Sequence, residues 1–393
     1  MKTAIVIGGG IAGCSTAFAL AQRGIAVTLI ERHEYLAQEA SGNPIAMLYP
    51  KFGARPNASS TLALQGFEFT LDLLNQLPEK DKIFEACGLI QLAFNAREQA
   101  HQQALLQNKR LNFLHHLDMT SASEIAGITL KSGGLFFQQA GWIKPQVLCE
   151  ALCSDALITK MTSTEALSIK KNMTQWLVNH TFVADFVVMC NANDIQRFAQ
   201  YKSAKITPVR GQINFFATNK VSQNIKTIIC SNHFVSPAVD GTHAIGTTYK
   251  PNDMNPHLSE SDTHENLNAL RAISPEIFKP INIKNMHGRV AWRSQTPDYM
   301  PMAGQLIDEE KLCSKPPRYN ANPADLPWLN GLYVNAGHGS KGMITAPICG
   351  EFIANLAINN TLPLDVKLAS RLNPSRFLLR ELGLKQLANS LYQ

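Results

Sequence analysis

The sequence predicts an α/β protein in which a doubly wound nucleotide-binding sheet is interleaved with an α+β domain built on an antiparallel sheet. Three observations carry this expectation. An apolar run at the N-terminus ends in a glycine cluster that opens a small-residue helix. Apolar runs of the same buried-strand type return at 184–190 and 331–335. Between the returns lie short strand-like segments punctuated by Gly and Pro. The 393 residues suit two or three domains with ample core. With 45% hydrophobic and 17% charged residues, a disordered chain is excluded.

The opening segment is the most specific. Thr3-Ala4-Ile5-Val6-Ile7 reads as a buried parallel strand and runs at once into Gly8-x-Gly10-x-x-Gly13 and a helix over 12–23. In a Rossmann-like unit the first glycine permits the tight turn, the second lets the backbone approach a pyrophosphate, and the third lets the helix pack on the sheet. The helix N-terminus adds N–H groups and a positive dipole end. A second strand, Ala26 to Ile30, ends at Glu31, eighteen residues after Gly13, where a carboxylate accepts hydrogen bonds from ribose hydroxyls and disfavours a ribose phosphate.

A loop, Ala40-Ser41-Gly42-Asn43-Pro44, follows, and then a helix in which Leu64, Phe67, Leu71 and Leu74 recur at helical spacing and belong to the core. The strands Leu89 to Leu92 and Gly134 to Phe137, flanking a polar helix near 96–110, read as a first excursion into the second domain. Gly141-Trp142-Ile143-Lys144-Pro145 leads into a helix, an amphipathic hairpin surrounds Trp176, and Ala184 to Cys190 returns to the nucleotide sheet. Strands over 212–217, 226–234 and 242–249, with a helix near 267–273, form a second excursion. The last nucleotide-sheet strand, Gly331 to Asn335, feeds Gly337-His338-Gly339-Ser340-Lys341-Gly342 and a helix from about Pro347 to Ile358. The expected division is 1–86, 141–206 and 294–360 for the nucleotide domain and 87–140 with 207–293 for the substrate domain. Residues 361–393 form a basic helical tail, with Arg371, Arg376, Arg380 and Lys385 on its outer face and Leu384, Leu387 and Leu391 docked.

The net charge of +6 favours polyanionic partners without demanding one. None of the eight cysteines forms a CxxC pair, and buried thiols in a reducing compartment are expected rather than metal or disulfide. Glycines interrupt the N-terminal apolar run, which argues against a signal segment, and no run approaches the roughly 20 residues of a membrane span. A cytoplasmic protein without membrane or metal partners is expected.

Five blocks together resemble the D-amino-acid-oxidase and glycine/sarcosine-oxidase superfamily over nearly the whole chain. They are the glycine fingerprint, Gly141 to Pro145, Pro208-Val209-Arg210-Gly211-Gln212, Arg293 to Pro301, and Gly337 to Lys341. More narrowly, Ala40 to Asn43 running into Leu48-Tyr49-Pro50-Lys51, with Gly337 to Ser340 running into Thr345-Ala346-Pro347, resembles the FAD domain of the MnmC family of tRNA wobble-uridine modification enzymes. Pro44-Ile45-Ala46 departs from that pattern where a glycine is expected, though Ala46 stays small. The resemblance implies a Rossmann-like FAD-binding domain interleaved with an α+β substrate domain. It also implies noncovalent FAD, tRNA as partner, and oxidative removal of the carboxymethyl group from a carboxymethylaminomethyl uridine. Methyltransfer is not expected from these residues, so the chain reads as a stand-alone oxidoreductase or a fragment, with a separate methyltransferase as a candidate partner.

Under that resemblance Gly8, Gly10, Gly13, Glu31, Ser41, Gly42, Asn43, Ala46, Gly339, Ser340, Lys341 and Gly342 hold the cofactor. Backbone N–H groups after Gly339, with the Lys341 charge, face the negative flavin edge. Arg293 takes the position of a substrate-carboxylate arginine, a role its guanidinium fork suits, unless it merely pairs with Asp298. Arg210 could serve instead or as well, and Tyr249 could donate to the same carboxylate. His338 is either catalytic or packing, and Lys51 approaches the flavin or tRNA or is an ordinary loop lysine. Covalent attachment is not expected, since no Cys or His lies between Arg293 and Gly304, although Cys313 is near. Two rival functions remain: a small-molecule glycine, sarcosine or D-amino-acid oxidase or dehydrogenase, and a noncatalytic flavoprotein binding RNA or protein.

Overall fold

In the computed structural model, which describes every residue except 54, 55, 109, 110, 112 and 393, strand Thr3–Ile7 lies inside a six-stranded sheet. Four of its five residues are buried, as an inner parallel strand requires. It pairs in parallel with Ala26–Ile30 on one side and Phe186–Met189 on the other. Ile158–Met161 extends the sheet beyond Ala26–Ile30 in parallel. On the other flank come Trp328–Ala336, parallel, and Met302–Ile307, antiparallel at the edge. Neither Ile158–Met161 nor Met302–Ile307 was anticipated: the first has two polar residues, Thr159 and Lys160, between its apolar ends, and the second carries Gly304 in its middle. The expected strand over 184–190 is divided at Asp185, whose carboxylate accepts the Thr3 N–H at 2.9 Å. Phe182–Ala184 turns instead into a small sheet with the hairpin around Trp176.

Helix Ile11–Ala21 and helix Gly342–Ala357 pack against each other and against this sheet. At Gly13 a Cβ would stand 1.8 Å from the Gly8 carbonyl oxygen, so only glycine lets the first helix close on the turn. Gly8 itself has φ +107°, in the region that favours glycine. The second helix begins five residues before the expected Pro347. That proline sits inside it and leaves the Met343 carbonyl without its usual donor, and the Thr70 hydroxyl, 3.2 Å away, replaces the lost bond.

The two excursions meet in one sheet, because Leu89–Leu92 pairs in parallel with Ile228–Cys230. Leu114–Leu117 and Gly134–Phe137 extend it on one side. On the other side it runs through Phe234–Val235 and Thr242–Gly246 to the long strand Thr207–Ala217, which pairs antiparallel with His287–Gln295. Helix Glu260–Ile273, longer than expected, covers one face through Leu267, Leu270 and Ile273.

The tail is three short helices, Val366–Leu372, Arg376–Glu381 and Lys385–Ala388, rather than one. Leu384, Leu387 and Leu391 dock against Ile307 and Leu312 as expected. Arg376 corrects the expected basic outer face: it is fully buried and forks onto Asp298 at 2.8 and 3.0 Å. Among the described residues no helix is long and apolar enough to cross a membrane, and no His/Cys/Asp/Glu cluster suits a metal ion.

Candidate active site

A cavity of about 480 Å³ runs from the carboxyl ends of the parallel strands to the face of the antiparallel sheet. Its place follows the rule that open α/β sheets bind ligands beyond their strand ends, and its size lies within the usual range for small-molecule sites. Gly8, Gly10, Glu31, Ser41, Asn43 and Ala46 line one part. His338, Gly339, Ser340, Lys341 and Gly342 line another, and Tyr249 and Arg293 enter from the antiparallel sheet.

At the glycine turn, Glu31 is buried and its two carboxylate oxygens accept the N–H groups of Gly9 at 2.6 Å and His33 at 2.8 Å. The carboxylate thus ties the end of the second strand to the glycine loop. Ser41 Oγ accepts the first N–H of the helix, that of Ile11, at 3.0 Å. Gly13 and Gly42 do not line the cavity: Gly13 acts by packing, and Gly42 is pressed against the Arg289 guanidinium and the Ala37 carbonyl.

Arg293 is half-buried in the cavity wall, donating to the Thr248 carbonyl at 3.3 Å and to the Thr247 hydroxyl. Burial lowers its guanidinium pKa, so an anion in the cavity would be favoured there. The alternative that it pairs with Asp298 is overturned, because Asp298 is occupied by Arg376 and Arg380. Tyr249 is about half exposed, and its hydroxyl accepts from Gln295 at 2.6 Å.

Arg210 is corrected. It is fully buried and points to the opposite face of the strand, where it pairs with Asp262 and donates to the carbonyls of Asn255 and His257 at 2.7 and 2.6 Å. It does not line the cavity. Strand alternation explains this: Val209 and Arg210 face opposite sides, and in the antiparallel register Val209 stands opposite Arg293.

His338 has both ring nitrogens engaged, Nδ1 with Thr345 Oγ1 at 2.9 Å and Nε2 with Asn335 Oδ1 at 3.0 Å. A neutral ring satisfies both when Nε2–H donates to Asn335 and Thr345 O–H donates to Nδ1. Burial pushes the imidazole down to about 3. The sign follows: a histidine depressed on folding stabilises the protein fully above its unfolded pKa of about 6.5 and loses that contribution as pH falls toward 3. Thermal melts should therefore lose about 1 kcal/mol per pH unit below pH 6.5 through this residue. His338→Gln should flatten that slope between pH 6.5 and 4.5, and an unchanged slope would sink the assignment.

Lys341 Nζ donates to Ser59 Oγ at 2.7 Å, and burial and then the charge of Lys51 lower its ammonium pKa. Lys51 lines the same cavity. The Lys51 charge thus makes the Lys341 ammonium costlier and the region receptive to negative charge.

The residues present fit FAD. Asn191 Oδ1 and Ser294 Oγ are buried polar atoms without a protein partner in residues that line the cavity. The glycine turn and helix N-terminus would hold the pyrophosphate, Glu31 the adenosine ribose, and the N–H groups of Ser340 and Gly342 the flavin edge, since those of Gly339 and Lys341 donate to the Ser294 and His338 carbonyls at 2.7 and 3.0 Å. Cys313 is exposed and lies away from the cavity. Cys190 and Cys230 line it instead, and burial pushes both thiols up to about 12, so they are neutral. Sequence reasoning missed Asn191, although it directly follows a predicted strand of the nucleotide sheet, the signal that strand ends carry ligands. It also missed Thr247, Ser294 and Arg289, which only the pairing of distant strands brings near.

The family described as FAD dependent oxidoreductase matches residues 3–356. A tRNA 5-methylaminomethyl-2-thiouridine biosynthesis bifunctional protein MnmC from Methylobacillus flagellatus is 38% identical over 394 residues, 99% of this chain and 61% of that protein. The protein of the same name from Pseudomonas savastanoi pv. phaseolicola is 39% identical over 97% of this chain and 60% of its own length. The chain thus spans about three-fifths of these relatives. Among solved structures, glycine oxidase from Geobacillus kaustophilus has a TM-score of 0.78 at 21% identity, covering 96% of this chain and 99% of that one. L-proline dehydrogenase from P. horikoshii has a TM-score of 0.75 at 18% identity, covering 96% and 98%. At such identities the likeness is one of fold. With the glycine turn, the strand-end cavity and a family match covering most of its length, the chain belongs to the FAD dependent oxidoreductase family.

Proposed function

We propose that this chain oxidises the carboxymethylaminomethyl group on the wobble uridine of tRNA, releasing glyoxylate and leaving the aminomethyl(2-thio)uridine. The observation that carries it is Arg293: a half-buried guanidinium in the cavity wall with no carboxylate partner among the described residues, Asp298 being held by Arg376. The relatives' printed name supports the nucleoside part of the reading.

The substrate is in effect a glycine whose nitrogen carries a nucleoside. Bound FAD supplies a two-electron acceptor for the C–H bond between that nitrogen and the carboxylate. Arg293 holds the carboxylate, with Tyr249 at the rim as a second hydrogen-bonding group, and so fixes which C–H is presented. The N–H groups of Ser340 and Gly342 and the dipole of helix Gly342–Ala357 stabilise negative charge at the facing end of the cavity. Both nitrogens of His338 are occupied, so it fixes the 335–345 turn rather than moving a proton. Loss of two electrons and two protons from the CH–NH unit turns its C–N single bond into an imine, and addition of water to the imine carbon divides it into amine and glyoxylate. The methyl transfer that completes the relatives' named product is assigned to a methyltransferase outside these domains, in a separate protein or in the same longer one, and the reaction takes place in the cytoplasm.

Anaerobic mixing of the purified flavoprotein with tRNA bearing the carboxymethylaminomethyl base should bleach the flavin and release one glyoxylate per flavin. Glycine and sarcosine at millimolar concentration should do neither within the same time. Bleaching by the free amino acids alone would make the protein a small-molecule oxidase, and no bleaching by any of them would remove the amine substrate altogether.

A further inference from the structure

We infer that Arg289 is a positioning residue that clasps the cofactor loop 38–43 to the antiparallel sheet and thereby sets the affinity for FAD, whichever amine is oxidised. Arg289 lies on strand His287–Gln295, in register with Ile213, and shares a strand face with Arg293 four residues on. Its Nη1 donates to Asn43 Oδ1 at 2.9 Å and its Nη2 to the Gln38 carbonyl at 2.6 Å, so one guanidinium holds both ends of the loop. The loop leaves no slack: a Cβ on Gly42 would stand 2.6 Å from Arg289 Nη2 and 2.6 Å from the Ala37 carbonyl oxygen. Gln38, Glu39, Ser41 and Asn43 line the cavity, whereas Arg289 stands behind them. Through Ser41 Oγ the loop reaches the Ile11 N–H, the first donor of the helix behind the glycine turn.

The planar fork suits this task. It satisfies a side-chain amide oxygen and backbone carbonyls at once, which the single ammonium of lysine cannot reproduce in the same geometry. Burial lowers the Arg289 guanidinium pKa, the expected state of a cation held by neutral oxygens behind a binding loop. One strand thus carries the clasp on the cofactor loop and the arginine facing the substrate space.

The test is the FAD dissociation constant, read by quenching of flavin fluorescence on titration of apoprotein, for wild type, Arg289→Ala, Arg289→Lys and Asn43→Ala. Arg289→Ala should weaken FAD at least tenfold, Arg289→Lys should recover only part of this, and Asn43→Ala should cost about threefold. Millimolar guanidinium added to Arg289→Ala should restore tighter binding, an effect that a purely structural defect would not give. The melting temperature of each apoprotein keeps loss of fold apart from loss of binding. If Arg289→Ala does not fold, a wild-type FAD constant in both Arg289→Lys and Asn43→Ala overturns the inference. So does an Arg289→Ala protein that binds FAD within twofold of wild type, or one that guanidinium leaves unchanged.

Discussion

Arg293→Lys is expected to lower kcat/KM for the carboxylate-bearing substrate by at least about a hundredfold, equivalent to about 2.7 kcal/mol of transition-state stabilisation. The magnitude follows from geometry. A fork that grips both carboxylate oxygens is exchanged for one shorter-reaching donor, in a wall where the charge is already costly to bury. The flavin spectrum and FAD content should remain those of wild type, because the hydrogen bonds of Arg293 among the described residues go to Thr247 and Thr248. Stopped-flow reduction against substrate concentration separates the effect on binding from that on the reductive step. A kcat/KM within threefold of wild type would return the carboxylate to another cation, with Lys51 and Lys341 next in line.

Arg376→Leu should lower the free energy of unfolding by about 3 kcal/mol, the low end for a broken buried ion pair, because Arg376 is fully buried while the Asp298 carboxylate keeps part of its surface in solvent. Arg376 is fully buried and holds both oxygens of Asp298 and the carbonyl of Met300. Its loss strips the loop after Arg293 of its anchor and leaves Asp298 to the partly exposed Arg380 and, at 3.3 Å, the Met300 N–H. Denaturant unfolding followed by far-ultraviolet circular dichroism and by flavin release would show the loss. The double change Arg376→Leu with Asp298→Asn should recover part of it, since the stranded charge is then absent. A single variant as stable as wild type would mean that the tail contributes little to the loop.

The nucleotide-binding half was largely legible because its signals are local. Gly8, Gly10, Gly13 and Glu31 lie within 24 residues of one another, and each answers to a backbone constraint that few other residues meet. The turn at 337–342 was found for the same reason, though the helix start was misplaced at Pro347, since nothing local says that Thr70 completes the bond which the proline removes. The arginines were another matter. In sequence Arg293 leads for the carboxylate and Arg210 stands as its alternative, Arg376 reads as part of a solvent-facing basic helix face, and Arg289 has no signal.

The sequence by itself determined a dinucleotide-binding turn, the interleaving of two sheets and the identity of the glycine-rich turns, because strand periodicity and glycine spacing are set by neighbours along the chain; FAD in particular came from the family resemblance. Only the tertiary structure decided which charges are free to meet a substrate. Pairing of strands 207–217 and 287–295 turned Arg293 to the cavity and Arg210 to the far face. Arg376, 78 residues beyond Asp298, then took the carboxylate that would have neutralised Arg293. An ion pair depends on distance in space, and the distances that sort these arginines arise from contacts between residues far apart in the chain.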